Sequence, residues 1–497
     1  MNTGAFSMLF NSSHFLIFFP VVVSLHFLIP HKVRYLWLLA ASYYFYMCWN
    51  PKYALLMLTS TAITYASGLL IHRADRKNNI ILKKLWVAVS FISNLAILFL
   101  FKYFDFALNN LNQILSLVGT QLIKPSFSLL LPVGISFYTF QALSYTMDVY
   151  RHDVAPEHNF LKYALFVSFF PQLVAGPIER SSNLIHQISE RHSFDFHRFL
   201  RGLSLMLWGY FQKLVIADRA AIFVNTVYNN PSHYDYYGLV TILATILFAF
   251  QIYCDFSSYS DIARGAAEIL GFTLMKNFDT PYFSQSISEF WRRWHISLST
   301  WFRDYVYIPL GGNRKGTCRK YINLMIVFCI SGLWHGASWN FVIWGALNGF
   351  YQMFGALFAP VRKKFAGDPN LFSNRLGKML ITFALVCFSW IFFRANTLAD
   401  AIVIIKGMLH LNPWAFTNGT LLRCGLDWAN WCILLSALLV LLGVSTAKYN
   451  HIEIRRWFFH QGLWFQYLII LIAVFTVLAF GIYGSNYDAS QFIYFQF

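Results

Sequence analysis

Between residues 14 and 482 this 497-residue chain passes through one apolar run after another, with short polar loops between them. A membrane-crossing helix needs about 20 apolar residues, fewer where it enters a protein-lined cavity. Runs that qualify are 14–28, 35–49, 53–70, 86–101, 127–145, 199–215, 239–253, 321–333, 341–358, 379–393, 428–444 and 465–482. Several are short or broken by Pro and Gly, which predicts re-entrant or buried segments beside about eleven true crossings. Only 12% of residues are charged, against about 25% in a soluble domain. Phe alone contributes 52 residues. The chain reads as an all-α polytopic membrane protein, with residues 1–497 as a single domain.

Net charge is +17. Nucleic-acid binding would need a basic stripe on a water-facing domain, whereas these basic residues lie between the apolar runs, the mark of cytoplasmic loops. No nucleic-acid partner is expected. Residues 1–13 carry no charge and are placed outside. Lys32, Arg34, Arg73, Arg76, Lys77, Lys83 and Lys84 are placed inside, as are Arg362, Lys363, Lys364, Lys448, Arg455 and Arg456. The tail after Ile482 has no Lys or Arg, so both termini are expected to be extracytoplasmic. The start lacks the basic end and small-residue site of a cleaved signal, which makes 14–28 a retained span. The longest polar stretch, 271–320, holds eight Lys or Arg against Asp279, Glu289 and Asp304 and is placed on the cytoplasmic face. None of the seven cysteines is spaced as a metal knuckle or redox pair, and they read as small core hydrophobes. No metal is expected.

There is no HExxH zinc pair and no GxSxG elbow. The glycine-rich run that starts at Gly311 continues with Thr317 where a phosphate loop needs Lys, so it reads as a turn. In SISEFWRRWHISLSTWFRDY, Ser286 and Glu289 have capping-box spacing. Ile287, Phe290, Trp291, Trp294, Leu298, Trp301, Phe302 and Tyr305 then recur at helical period. The expectation is one amphipathic helix with Arg292, His295, Ser299 and Arg303 on its polar side. Such a helix anchors at the interface or floors a funnel.

His335 stands inside the apolar run ISGLWHGASWNFVIWGALNG. At about 1.5 Å per residue a helix leaving the interface at Tyr321 carries it ~21 Å, short of a ~30 Å hydrocarbon core. An ionisable group there is expensive, so it is either a functional imidazole or one held in a helix crossing. Gly332 and Gly336 beside it would allow a kink or the approach of a substrate chain. A third group of polar residues within membrane-like sequence reads as cavity scaffold: Gln141, Gln172, Glu179, Gln251, Asp255, Tyr259 and Asp261.

At PVGISFYTFQALSYTMDVYR, FFPQLVAGPIER, YCDFSSYSDIARG, FWRRWHISLSTWFRDYVYIPLGGNR, GLWHGASWNFVIWGALNG and the closing FIYFQF, the sequence resembles the membrane-bound O-acyltransferase family. More narrowly it resembles the bacterial branch that contains the alginate O-acetylation membrane subunit. One departure is Ser258, where relatives often have Gly. The resemblance implies a ring of about 11–12 transmembrane helices around a central funnel, with re-entrant and interfacial helices, in a bacterial inner membrane. It implies His335 as the catalytic histidine near the narrow point, reachable from both aqueous sides, and His295 as a second functional histidine.

From this follows an expected reaction. A thioester donor, acetyl-CoA or a carrier-borne phosphopantetheine thioester, meets Arg292, Arg293, Arg303 or Arg314, with Ser299, Trp334 and Asn340 lining its path. His335 accepts the proton of the attacking hydroxyl. The acceptor is an extracytoplasmic polysaccharide or a serine of a partner, expected to be an SGNH-type acyltransferase. The same branch includes teichoic-acid D-alanylation proteins, which leaves D-alanyl transfer as an alternative. A transporter or a non-catalytic scaffold of a secretion complex would also suit polar residues within broken helices.

Overall fold

The computed structural model describes residues 8–120, 122–124, 131–365, 367–368, 371–410 and 412–483. The first seven residues, the 125–130 part of the expected 127–145 span and the closing FIYFQF lie outside them. All regular structure among the described residues is helical. Among the described residues six helices are long and apolar enough to cross a membrane: Pro51–Arg76, Ile80–Leu117, Leu239–Leu270, Phe372–Arg394, Trp428–Tyr449 and Leu463–Phe480. The protein is a multi-pass membrane protein.

Several helices begin where caps, not hydrophobicity, dictate. Pro51 sits in the first turn of Pro51–Arg76 and the Asn50 side chain accepts from Lys52 N–H. Asn79 caps Ile80–Leu98 by accepting from Leu82 N–H. These starts lie outside the apolar windows, so both helices are longer than their runs. The cysteine expectation holds for Cys254, Cys387 and Cys424, which are buried, whereas Cys318 and Cys432 are exposed.

The described residues fall into two compact units, Met1–Leu203 with Ala263–Met275, and Ser204–Ile262 with Lys276–Phe497. In the first, Pro51–Arg76 packs on Ile80–Leu98 and Ile135–Arg151. Short polar side chains stitch this core together: Ser60 Oγ donates to Asn94 Oδ1 at 2.5 Å, Ser90 and Thr146 share a 2.8 Å bond, and Tyr163 Oη donates to Thr64 Oγ1 at 2.7 Å. Gln141 and Gln172 both donate to the Phe166 carbonyl, at 2.6 and 2.9 Å. They therefore satisfy the end of the Phe160–Ser168 helix.

Glu179, in the loop after that helix, is fully buried. It accepts from Asn183 Nδ2 at 2.7 Å and from Met275 N–H. Burial pushes its carboxyl up from 4.5 to about 7, against the pull of those donors. A carboxyl whose folded pKa is raised favours the fold below the unfolded value and loses that contribution as pH rises through the folded one. The thermal midpoint is therefore expected to fall between pH 5 and pH 8 by an amount equivalent to at most about 3 kcal/mol. In Glu179→Gln this dependence should flatten, and melting curves of the two proteins across that range check it.

In the second unit Thr317–His335 packs along Trp339–Leu357, which also packs on Phe372–Arg394. The first pair crosses on glycines. A Cβ on Gly332 would strike the Phe341 carbonyl oxygen and reach within 3.4 Å of Gly345 Cα, and one on Gly345 would strike the Phe328 carbonyl oxygen. Bare backbones meet there, as small residues permit between membrane helices.

The same unit buries a charged cluster. In the π-helical turn Phe211–Ala217, Lys213 Nζ lies 2.5 Å from Asp255 Oδ1 and 2.8 Å from Asp218 Oδ1. Arg219 beside it donates to Asn430 Oδ1, Val215 O and Phe480 O, each at 2.8 Å. This ties the Trp428–Tyr449 and Leu463–Phe480 helices to the cluster. Asp255 is thus held within this cluster by Lys213.

Candidate active site

His335 is the last residue of Thr317–His335, and Gly336 leaves the helix in extended conformation. The whole of Tyr321 to His335 is helical, so His335 ends an unbroken helix that starts at Thr317. Of the two glycines beside it, Gly336 takes the chain out of the helix, and both sit in close packing. Gly332 faces the backbone of the neighbouring helix, and a Cβ on Gly336 would strike the Phe341 ring. Both spaces belong to helix packing, not to a substrate chain.

The single amphipathic helix expected over 287–305 is two short ones, Ile287–Arg293 and Ile296–Phe302, followed by a π-helical turn Arg303–Tyr307. The first starts as its sequence says: the Ser286 side chain accepts from Glu289 N–H, and Glu289 Oε2 accepts from Gln285 N–H at 2.8 Å. The break falls at His295, whose backbone is left-handed (φ 43°, ψ 55°). This turn rotates the register, and His295 leaves the polar side for the interior, where it is 1% exposed. Arg292 and Arg303 stay exposed.

The break brings the two histidines together. Their ring centroids are 6.4 Å apart, although 40 positions separate them in the chain. Trp334 packs against both, 4.9 Å from His335 and 6.0 Å from His295. Trp344 and Phe393 flank His335 at 5.1 and 5.4 Å, and Phe256 meets His295 edge-on at 4.5 Å. Trp390 stacks on Trp344 at 5.7 Å, and Asn348 orients this wall by accepting from Trp291 Nε1 at 3.3 Å. His335 is 5% exposed. Burial pushes the His295 imidazole down to about 3, which keeps it neutral at any physiological pH. Two imidazoles in an aromatic cage suit proton transfer to or from a hydroxyl, with water kept away from a reactive acyl group.

Of the other expected site residues, Trp334 packs its ring against both imidazoles. Arg293 is held by Glu289 at 2.8 Å and by Thr280 Oγ1 at 3.1 Å, and Arg303 by Asp304 at 2.7 Å. Ser299 Oγ donates back to the Trp294 carbonyl at 3.2 Å, and Asn340 Nδ2 donates to the Ala395 carbonyl at 2.8 Å. Arg314 is exposed. Asp261 accepts from Gln212 Nε2 at 3.5 Å, and Tyr259 is buried. Gln141 and Gln172 belong to the other unit. Sequence reasoning missed Trp344, Trp390 and Phe393, since an apolar run does not say which of its rings face the histidines.

Comparison with known proteins points to one family. A model described as MBOAT, membrane-bound O-acyltransferase family, matches residues 154–399, a stretch that contains both histidines. The chain is similar to the probable alginate O-acetylase AlgI of Pseudomonas aeruginosa, at 39% identity over 83% of this chain and 76% of that protein. It is also similar to the peptidoglycan O-acetyltransferase of Helicobacter pylori, at 35% identity over 82% of this chain and 81% of that one. The teichoic acid D-alanyltransferase of Bacillus subtilis is more distant, at 28% identity over 54% of this chain. With these relatives and a matching family region that holds the paired imidazoles, this chain belongs to the membrane-bound O-acyltransferase family.

Proposed function

We propose that this protein is an O-acetyltransferase that takes an acetyl group from a cytoplasmic thioester and delivers it to a hydroxyl outside the membrane, for O-acetylation of a polysaccharide. The observation that carries the reading is the convergence of His295 and His335 from two distant motifs into one buried cage. The similar proteins named for O-acetylation of alginate and peptidoglycan support the acyl group and the polymer class.

In the proposed step His335, as neutral imidazole, takes the proton of the acceptor hydroxyl while its oxygen attacks the thioester carbonyl. The new C–O bond forms, the C–S bond breaks, and the proton passes to the leaving thiolate. His295, kept neutral by its burial, orients the donor or hands on the proton through its ring nitrogens. The donor is acetyl-CoA or a phosphopantetheine-borne thioester, and the protein sits in the bacterial inner membrane with both termini outside. The acceptor hydroxyl belongs to the polysaccharide itself or to a serine of an extracytoplasmic SGNH-type partner that completes the transfer.

The test is protein in sealed liposomes given acetyl-CoA labelled in its acetyl group. Label covalently attached to polysaccharide or partner on the far side is the expected result. Passage of intact donor with no covalent label would show a transporter instead. Label from a D-alanyl thioester, with none from acetyl donors, would favour the teichoic-acid reaction.

A further inference from the structure

We infer that Asn277 is a positioning residue: it holds the backbone turn that points the His295 imidazole inward. The activity part of this inference rests on the acyl-transfer reading, whereas the placement of His295 stands on geometry alone.

A non-glycine residue with φ of 43° is strained, and such a conformation persists only where its surroundings impose it. His295 also occupies the N-cap of Ile296–Phe302, where a side chain ordinarily satisfies the first N–H groups of the helix. Its imidazole makes no capping bond. Asn277 does this work from 18 positions upstream: its carbonyl accepts from Ile296 N–H at 2.9 Å, and its Oδ1 accepts from Ser297 N–H at 3.2 Å. Capping supplied from elsewhere releases the histidine ring to turn toward Phe256, Trp334 and His335.

The rest of the 277–283 strap fixes the other side of the turn. Asp279 N–H donates to the Arg293 carbonyl at 2.9 Å, and Arg293 Nη1 donates to Thr280 Oγ1 at 3.1 Å. The Phe278 ring lies 5.0 Å from both Trp294 and Phe256. Asn277 is 1% exposed, and its Nδ2 has no hydrogen-bond partner among the described residues. Among the described residues it is the oxygen side of the amide that is in use, so Asp at this position keeps the bond that matters and suits a helix N-terminus.

The experiment compares full-length Asn277→Ala, Asn277→Asp and His295→Ala in membranes. It reads acetyl transfer and the labelling of each histidine by diethyl pyrocarbonate, mapped by mass spectrometry. In Asn277→Ala the turnover number is expected to fall about tenfold to hundredfold with the donor KM within about threefold of the parent. His295, protected in the parent, should become labelled. Asn277→Asp should restore both protection and most of the rate. Parental turnover in Asn277→Ala, or His295 still protected there, overturns the inference. If Asn277→Ala fails to accumulate, Asn277→Asp decides: His295 labelled in that variant overturns it, and His295 protected with activity retained sustains it. Full activity in His295→Ala would sink the catalytic reading of that residue, while the labelling result would still judge the positioning one.

Discussion

Replacing His335 with Ala is expected to lower acetyl transfer by about 10²–10⁴-fold, the contribution of a positioned general base, while the protein still reaches the membrane in parental amount. The imidazole lies at the end of a helix whose crossing with its neighbour is made by Gly332 and Gly345, not by the histidine. Its loss removes one ring from the cage formed with Trp334, Trp344 and Phe393 but leaves the backbone contact intact. His335→Gln fills most of the same volume and serves as the control for packing, since it cannot take a proton at neutral pH. Both variants should be inactive and well folded. Transfer at the parental rate in either, measured with labelled acetyl donor, would remove His335 from the chemistry.

The largest effect on stability is expected at Lys213. Its ammonium is the near partner of two buried carboxylates, Asp255 at 2.5 Å and Asp218 at 2.8 Å. Lys213→Met leaves both acids without that cation in a low-dielectric interior. Removing one partner from a buried ion pair costs about 3–5 kcal/mol. Most of the variant should be lost from the membrane or melt well below the parent. The triple change Lys213→Met, Asp218→Asn, Asp255→Asn removes charge on both sides and should recover much of the lost protein. Parental yield and melting temperature in Lys213→Met would show that the cluster bears little load.

Where the sequence spoke through cost or caps, it was readable. A histidine within an apolar run is expensive wherever it ends up, so His335 stood out, and Ser286 marked a helix start by its capping spacing, whereas the caps at Asn50 and Asn79 lie outside the apolar runs and were passed over. His295 was readable as a motif and misplaced as geometry. Helical periodicity assumes an unbroken helix, and nothing in WRRWHIS announces a left-handed residue imposed by hydrogen bonds from Asn277. Trp390 and Phe393 were silent because residues 379–393 of the Phe372–Arg394 helix are apolar on nearly every side, so the pattern does not say which rings face the histidines. Lys213 and Asp255 could each be seen as costly, but 42 positions separate them, and pairing across that distance is a property of the packed chain.

The bare-backbone crossing at Gly332 and Gly345 also decides what can yield when an acyl chain arrives. Two helices in van der Waals register along their main chains do not slide apart without losing every contact at once. With both imidazoles almost fully enclosed, admission therefore falls to the indole and phenyl groups around them, which can swing about their side-chain torsions within a fixed frame. On the proposed reading, turnover would be paced by how often those plates part, and a bulkier acyl group would be refused by the time it needs as much as by the room.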